Sequence, residues 1–244
     1  MSSPPAPAPP PPPGAGVSAP LAPTTLSEFD PAAAVVVPII LTGTSVRLEP
    51  LTPDHAPALL AAVSEWRETY AYSAAPDSTL RAVERYIEDG LAEAQGGTAL
   101  PFAVVRQSDG KVVGSTRFLR IEHWEWESGH PFQKPPGVPD VAEIGNTWLA
   151  HSAQRTAVNT EAKYLMLCYA FEVWQVHRVA LRTDARNKRS RAAIERIGAK
   201  EDGMIRADRP STDGQVRDSV VYSILAAEWP EVKAHIEGLL RRYG

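Results

Sequence analysis

The chain has 244 residues, enough for one domain with a sizeable core and a tail, and it contains 23 prolines and one cysteine. Its formal net charge of −4 at pH 7 argues against general binding to nucleic acid or anionic membranes, and no apolar run approaches the roughly 20 residues that span a bilayer. The lone cysteine excludes an intramolecular disulfide framework and favours a reducing compartment, so we expect a cytoplasmic protein.

The first 26 residues are a Pro/Ala-rich segment of low complexity. They lack the basic start and apolar centre of a signal peptide, and they cannot bury enough apolar surface to offset the entropy lost on ordering. We therefore expect an extended tail over residues 1–37 and one folded domain over residues 38–244. Composition favours a passive tail over a polyproline ligand for a partner domain. Pro38 argues against a central strand in the apolar run 35–41.

The first half of the domain shows strand and helix patterns in turn. Alternating apolar and polar residues predict a strand over 45–51, and apolar residues at helical spacing predict helices over 54–64 and 79–94. Two further strands, 101–107 and 111–121, are joined by Ser-Asp-Gly, which is typical of a hairpin.

Residues 122–140 form a long, turn-rich connection, which in a compact domain indicates a lid, a binding loop or disorder. Trp124, Trp126 and the nearby glutamates offer aromatic faces and negative charge, both of which attract a cation. The alternative is a loop packed over the edge of the sheet.

The stretch 143–171 is the one around which the prediction is built. Residues 143–150 read as a strand, a polar turn follows over 151–158, and a helix begins at Asn159 or Thr160, either of which can cap it. Such a unit directs free backbone N–H groups and the positive end of a helix dipole at one point, which attracts phosphate. The sequence contains neither the P-loop nor the GxGxxG nucleotide motif.

A second strand–helix unit follows, with a strand over 178–183 and a helix over 187–198 that ends at a glycine. The chain then returns through a hairpin of strands 200–208 and 215–225. An amphipathic helix over 229–242 closes the domain.

Residues 154–159, QRTAVN, resemble the acetyl-CoA pyrophosphate loop of the GCN5-related N-acetyltransferases. EIGNTWL before it and NTEAKYLML after it resemble the RimJ/RimL-type branch, which acetylates ribosomal-protein N-termini. In the second unit, Asn187 and Ser190 match the family's Asn-x-x-Ser helix, whereas Ile194 stands where the wider family often has a tyrosine. Both blocks occur in the family's order and separation, so the chain is identified as a member of the family.

The resemblance implies an α/β fold with a mixed, twisted β-sheet that is splayed at the acetyl-CoA site and flanked by helices. It implies transfer of an acetyl group from acetyl-CoA, as co-substrate, to a primary amine, with no metal. The acceptor is a protein N-terminus or a small cationic amine, as in antibiotic modification. A catalytically silent acyl-CoA-binding module is the alternative from another class. We also allow for a homodimer.

The resemblance assigns the coenzyme to both units. The residues implied in its binding are Trp148, Leu149, Ala150, Gln154, Arg155, Thr156, Ala157, Val158, Asn159, Thr160, Asn187 and Ser190. Ala157 and Asn159 replace the small glycine-type residues usual in the loop. Arg155 and Arg191 are candidate partners for the coenzyme phosphates.

Three catalytic residues follow from the resemblance. Glu143 matches a frequent general-base position, Asn187 would hold the pantetheine amide or the substrate, and Ser190 is the nearest candidate to hydrogen-bond the sulfur. A salt-bridged strand end is the alternative for Glu143, and an N-cap is the alternative for Asn187. Tyr222 is a candidate for the missing hydroxyl, although a strand tyrosine usually belongs to the core.

Four aromatic residues are candidates for binding the acceptor: Trp66, Tyr70, Trp124 and Trp126. The first two lie in the connection between the predicted helices, which lines the acceptor side in the family. Aromatic faces there suit an amine-bearing substrate, but they can equally pack two helices together.

Overall fold

The computed structural model describes residues 36–243. The predicted tail over residues 1–37 lies almost wholly outside this range, so its conformation stays a prediction. Within the described range, no helix combines the length and the apolar character needed to cross a membrane.

Residues 36–243 form eight strands and five α-helices. The strands are β1 (Leu41–Thr42), β2 (Val46–Pro50), β3 (Ala99–Arg106), β4 (Val112–Glu122), β5 (Val141–Leu149), β6 (Arg178–Asp184), β7 (Lys200–Pro210) and β8 (Val216–Leu225). The helices are α1 (Ala56–Ser64), α2 (Leu80–Gln95), α3 (Ala157–Cys168), α4 (Lys188–Arg196) and α5 (Trp229–Leu240). One π-helical turn, Tyr169–Val173, extends α3.

The eight strands form one sheet in the order β1-β2-β3-β4-β5-β6-β8-β7. Neighbouring strands are antiparallel except for β5 and β6, which are parallel and are connected through α3. Helices α1 and α2 pack against β4 and β3, and α3 packs against β1, β2 and α5. The mixed α/β sheet with flanking helices is therefore confirmed.

The sheet opens between β5 and β6. These strands pair only over Val141–Glu143 and Arg178–Ala180, so beyond Glu143 they separate towards the ends where α3 and α4 begin. The expected splay therefore lies along the second half of β5.

On its other side, β5 carries a bulge against β4. The register shifts between Ser115 and Arg117, so that Asn146 and Thr147 together lie opposite Thr116. Asn146 has a φ of 48° at this point. A bulge takes residues out of the regular ladder and re-aims them, here at the opening between the strands.

Helix α3 begins earlier than predicted. It starts at Ala157 with Thr156 as its N-cap, so the predicted cap at Asn159 or Thr160 was wrong. The Thr156 hydroxyl accepts a hydrogen bond from the N–H of Val158 at 3.3 Å. Three residues of capping type occur within five positions, and contacts elsewhere decide among them. Thr160 is buried and accepts a hydrogen bond from Arg196 Nη2 at 2.8 Å.

The connection between β4 and β5 packs against the far end of the sheet. Lys134 Nζ donates to the carbonyl oxygens of Trp174 at 3.3 Å and Gln175 at 2.8 Å. The Asp140 carboxylate accepts a hydrogen bond from the N–H of Trp124 at 2.8 Å. Of the interpretations of this connection, a packed loop is the one that the contacts support.

Candidate active site

A cleft of about 700 Å³ opens where β5 and β6 separate. It is lined by β5 from Glu143 to Leu149, by the turn before α3, by α4 and by part of the α1–α2 connection. We call it the β5–β6 cleft. It lies where the resemblance placed the coenzyme, and it combines a helix N-terminus with a disrupted strand ladder.

The predicted coenzyme residues divide into two groups. Those that line the cleft are Trp148, Leu149, Gln154, Arg155, Thr156, Asn159, Asn187 and Ser190. Those buried behind it are Ala150, Ala157, Val158 and Thr160. Members of the second group can contribute only backbone atoms or packing.

The N-terminus of α3 is suited to an anion. The first N–H groups of a helix have no partner within the helix, and the dipole places partial positive charge there. Arg155 immediately precedes the cap, is exposed, and adopts a φ of 61°, so the chain turns sharply into the helix. A helix N-terminus with an arginine beside it is suited to a diphosphate.

The Gln154 side chain is engaged within the protein. Its Oε1 accepts hydrogen bonds from Thr69 Oγ1 at 2.9 Å and Arg189 Nη1 at 3.0 Å, and its Nε2 donates to the carbonyl of Leu149 at 2.9 Å. Gln154 therefore fixes the turn between the α1–α2 connection and α4. Sequence reasoning missed Thr69 and Arg189, because no local pattern links them to the turn.

Glu143 occupies the floor of the cleft. It is the last residue of β5 that pairs with β6, and its carboxylate lies 3.4 Å from Arg120 Nε and 3.6 Å from Arg182 Nε. Its side chain is 8% exposed. Glu143 also lines a second cavity of about 470 Å³, together with Arg120, Arg178, Arg182 and residues of β7. One carboxylate is thus reachable from two sides.

Helix α4 presents Asn187 and Ser190 to the cleft. Asn187 is the N-cap, and its Oδ1 accepts a hydrogen bond from the N–H of Ser190 at 3.0 Å. Its Nδ2 points to the carbonyl of Tyr72 at 3.5 Å. Ile194 lines the cleft one turn further on, so no hydroxyl stands at that position.

Two residues considered from the sequence are directed elsewhere. Tyr222 is fully buried; its hydroxyl accepts a hydrogen bond from Arg191 Nε at 2.9 Å and donates one to Glu195 Oε1 at 2.9 Å. Burial raises the pKa of this phenol. Arg191 also contacts Glu201 at 3.1 Å. Neither Tyr222 nor Arg191 lines the cleft.

Of the two aromatic candidates between α1 and α2, only Tyr70 lines the cleft. Its hydroxyl donates to the carbonyl of Leu149 at 2.9 Å, and burial raises its pKa to about 12. Trp66 is 48% exposed and lies edge-on to His151, with ring centroids 4.4 Å apart.

Trp124 and Trp126 lie in the packed β4–β5 connection and line neither cavity. Trp124 stacks on His177 with centroids 5.5 Å apart, and Trp126 stacks on His130 with centroids 4.4 Å apart. The structure therefore does not bring these two candidates to the cleft, because the ring of Trp124 packs on His177 and that of Trp126 packs within the connection.

Lys163 is a cleft residue that sequence reasoning missed. It lies on the inward side of α3, is 6% exposed, and donates from Nζ to Thr147 Oγ1 at 2.6 Å and Thr116 Oγ1 at 3.3 Å. Burial lowers its pKa to about 7. The sequence holds one signal for it: Lys163 and the buried Leu167 are four residues apart, which places both on one helix face.

Comparisons with known proteins identify the family. The sequence model of the Acetyltransferase (GNAT) domain family matches residues 45–200. A Bacillus subtilis (strain 168) protein named "Putative ribosomal N-acetyltransferase YdaF" is 40% identical over 88 residues, which make up 36% of this chain and 47% of that protein. The chain therefore aligns with about half the length of this curated relative.

Solved structures match over most of the chain. A GCN5-related N-acetyltransferase from Brucella melitensis is 30% identical with a TM-score of 0.70, over 84% of this chain and 86% of that one. RimJ from Mycobacterium smegmatis, solved in complex with CoA-disulfide, shares the fold with a TM-score of 0.68 at 22% identity, over 85% and 97% of the two chains. With a family match that spans more than half of its length, this chain belongs to the GNAT acetyltransferase family.

Proposed function

We propose that the protein acetylates the α-amine of a protein or peptide N-terminus with acetyl-CoA bound in the β5–β6 cleft. The proposal depends on the position of Glu143, which lines both the cleft and the second cavity. The cleft would hold the coenzyme and the second cavity would admit the acceptor. Acetyl-CoA supplies the activated acetyl group as a thioester.

Backbone groups at two places would hold the coenzyme. The first-turn N–H groups of α3, with Arg155 beside them, suit the diphosphate. The bulge at Asn146 and Thr147 takes backbone amides out of the ladder with β4, and such amides can stabilise the charge that develops on a carbonyl oxygen.

Glu143 would act as the general base. It accepts the proton that the attacking amine loses, either directly or through one water. Arg120 and Arg182 hold the carboxylate in place through contacts of 3.4 and 3.6 Å.

The second cavity favours a peptide over a small polycation. Its charged lining is balanced, with Arg120, Arg178 and Arg182 against Glu122, Glu143 and Asp202, so it offers no excess of negative charge to attract a compact multiple cation. Met204 and Ile205 in the same cavity are 56% and 41% exposed, and they offer apolar surface to a peptide. The relative named as a ribosomal N-acetyltransferase supports the same choice. The earlier expectation of a cationic acceptor rested mainly on Trp124 and Trp126, which lie elsewhere.

The test is a thiol-release assay with acetyl-CoA and three acceptor sets: peptides with a free α-amine, the same peptides with a blocked α-amine, and small polyamines. We expect turnover only with the free peptides. Glu143→Gln should bind CoA with unchanged affinity in calorimetry while turnover falls about 100-fold or more, the usual contribution of a general base. The exposed Glu125→Gln serves as the matched control.

Two results would decide against the proposal. Unchanged turnover in Glu143→Gln removes the base role. Coenzyme binding without turnover for any acceptor supports the silent acyl-CoA-binding module instead. Cytoplasmic location, a homodimer and the lack of a metal requirement stay predictions.

A further inference from the structure

Lys163 is a buried amine that the proposed reaction has not yet used. Its Nζ reaches across from α3 to the bulged part of β5, where it donates to Thr147 Oγ1 at 2.6 Å, and to β4, where it donates to Thr116 Oγ1 at 3.3 Å. The two threonine hydroxyls are themselves 2.7 Å apart. Thr147 and Lys163 both line the β5–β6 cleft. The amine, the hydroxyl and the cleft therefore form a continuous path.

Burial without a counter-ion is costly for a lysine. Within residues 36–243, no carboxylate lies within 4.0 Å of Lys163 Nζ, and its two hydrogen-bond partners are neutral hydroxyls. An apolar side chain of the same length would fill this space without desolvating a charge. Fold stability therefore does not explain a lysine at this position, whereas a chemical role for its amine would explain it.

The charges that face the cleft come from several elements. They are Glu143 on β5, Arg155 before α3, Arg182 on β6, Arg189 and Arg196 on α4, Arg209 on β7 and Arg217 on β8, with Tyr70, Tyr72 and Tyr243 as the titratable neutral groups. On α3 itself, the nearby Glu161 carboxylate accepts from the N–H groups of residues 44–46, and Tyr164 donates to Glu237. Among the described residues, Glu143 is the only carboxylate that lines the cleft, so the surroundings do not favour the ammonium form of Lys163.

The reaction lacks a proton donor at the position where the family often has one. When the thioester bond breaks, the sulfur leaves as a thiolate and must receive a proton. Ile194 occupies the position of the expected tyrosine and lines the cleft with an aliphatic side chain. Tyr222, the other candidate, is bonded to Arg191 and Glu195. Ser190 on α4 also lines the cleft, but the hydroxyl that has an amine hydrogen-bonded behind it is that of Thr147.

We propose that Lys163, acting through the hydroxyl of Thr147, supplies the proton that the departing coenzyme thiolate takes up. In this proposal the hydroxyl of Thr147 contacts the sulfur. Lys163 acts through Thr147 as a positioning residue and replaces the proton that this hydroxyl gives up. The inference rests on the proposed function, because it requires the thioester to lie along β5. It goes beyond the family resemblance, which offers Ser190 for the sulfur.

The proton balance is complete without a further reactant. As the C–N bond forms and the C–S bond breaks, Thr147 gives its hydroxyl proton to the sulfur and takes one from the Lys163 ammonium. Lys163 is left as the neutral amine and recovers a proton from solvent through the cleft. Glu143 receives the proton lost by the acceptor amine and returns it to solvent. No group is oxidised or reduced.

Matched variants test the path by kinetics. Lys163→Met should lower kcat about 100-fold, in the range for loss of a general acid, with the KM for acetyl-CoA changed less than about threefold. The kcat of the wild type should fall as pH rises above about 7, and Lys163→Met should remove this fall. Thr147→Val should behave like Lys163→Met, whereas Thr147→Ser, which keeps a hydroxyl, should retain the wild-type pH profile. A purely structural role for Lys163 would lower activity without changing the profile.

A second measurement does not depend on turnover. In protein labelled with ¹³C-lysine, the Cε signal that disappears in Lys163→Met should titrate near neutral pH and should shift when CoA is added. The inference is overturned if the signal titrates near the ordinary lysine pKa of about 10.4, or if its chemical shift does not change when CoA is added. Acetylation of Lys163 itself, seen by mass spectrometry, also overturns it.

The two proposals fail differently. If wild-type protein turns over and Glu143→Gln does not, but Lys163→Met keeps the wild-type kcat and pH profile, then the proton path is wrong and the proposed function stands. If the protein binds no CoA, both are wrong.

Discussion

The guanidinium of Arg189 on α4 donates to both oxygen atoms of Thr69, at 2.7 Å to the hydroxyl and at 2.6 Å to the carbonyl. Thr69 belongs to the connection between α1 and α2, so this contact ties that connection to the opposite wall of the β5–β6 cleft. Thr212 of the β7–β8 turn adds a bond to the carbonyl of Ala71 at 3.0 Å. Residues from three distant parts of the chain thus enclose one cleft.

Arg189→Ala should loosen this connection. The variant loses both bonds to Thr69 and the bond to Gln154, and hydrogen bonds to charged groups are worth about 1.5–3 kcal/mol before screening of an exposed side chain. We expect amide exchange in residues 69–74 to quicken by about tenfold in hydrogen–deuterium exchange. The exposed Arg85→Ala is the control. Equal exchange in both variants would show that the contact does not restrain the connection.

Glu161→Gln should destabilise the fold. Its carboxylate is buried and accepts hydrogen bonds from the N–H groups of Thr44, Ser45 and Val46 at 2.8, 2.6 and 2.8 Å. A glutamine keeps one acceptor oxygen and turns an NH2 group towards these donors. We expect the free energy of unfolding to fall by about 2–4 kcal/mol, measured in urea. Exposed Glu125→Gln should cost less than about 0.5 kcal/mol, and a similar small cost for Glu161→Gln would contradict the prediction.

Gly114→Ala should be severely destabilising. Gly114 lies in β4 with a φ of 155°, and a Cβ there would stand 2.1 Å from the carbonyl oxygen of Trp148. β4 and β5 cannot both keep their positions, so we expect a loss of at least about 3 kcal/mol, seen as a lower midpoint of thermal unfolding. Gly110→Ala is a matched control, because Gly110 has a φ of 69° with no atom near its missing Cβ. Similar midpoints for the two variants would refute the steric argument.

Lys163→Met should change how stability depends on pH. In the folded protein the pKa of Lys163 is lowered to about 7, whereas an unfolded lysine has a pKa of about 10.4. Between these values the unfolded chain binds one more proton, so wild-type stability rises with pH by up to about 1.4 kcal/mol per unit. Below about pH 7 Lys163 is protonated in both the folded and the unfolded chain, so the full free-energy cost of burying its ammonium lowers the stability of the wild type.

The Lys163→Met variant lacks this pH-dependent contribution to the free energy of unfolding. We therefore expect Lys163→Met to exceed the wild type in urea unfolding by several kcal/mol near pH 7, with the difference shrinking towards pH 10. The exposed Lys188→Met is the control, and its difference from the wild type should not vary with pH. A difference for Lys163→Met that is constant over this range would contradict a neutral buried amine.

Local patterns in the sequence predicted the framework of the site. The strand–turn–helix around residue 155 depends on neighbours within a few positions, where capping and periodicity act, and so does the cap at Asn187, which the sequence offered as the alternative to a binding role. The strand that carries Glu143 was predicted from the local pattern, whereas the base role of Glu143 came from the resemblance to the family. The start of α3 was misplaced because Thr156, Asn159 and Thr160 are all capping residues, and local chemistry does not rank them.

The aromatic residues show the limit of such patterns. Trp124 and Trp126 looked suited to a ligand because aromatic rings and carboxylates attract cations. In the folded chain, Trp124 stacks on His177, more than 50 positions away, and its backbone is held by Asp140. An aromatic ring stacks on whichever partner the fold supplies, and the sequence does not identify that partner.

What the sequence alone determined is the family, the kind of sheet and the strand–turn–helix for which coenzyme binding is proposed, because these rest on motifs and patterns among neighbours along the chain. Only the tertiary structure decided that Gln154 is held by Thr69 and Arg189, that Glu143 faces two cavities, and that Lys163 is buried against Thr147. Each of those facts joins elements that are far apart in sequence. Burial and the environment of a charge are properties of the packed chain, and a residue's type does not determine them.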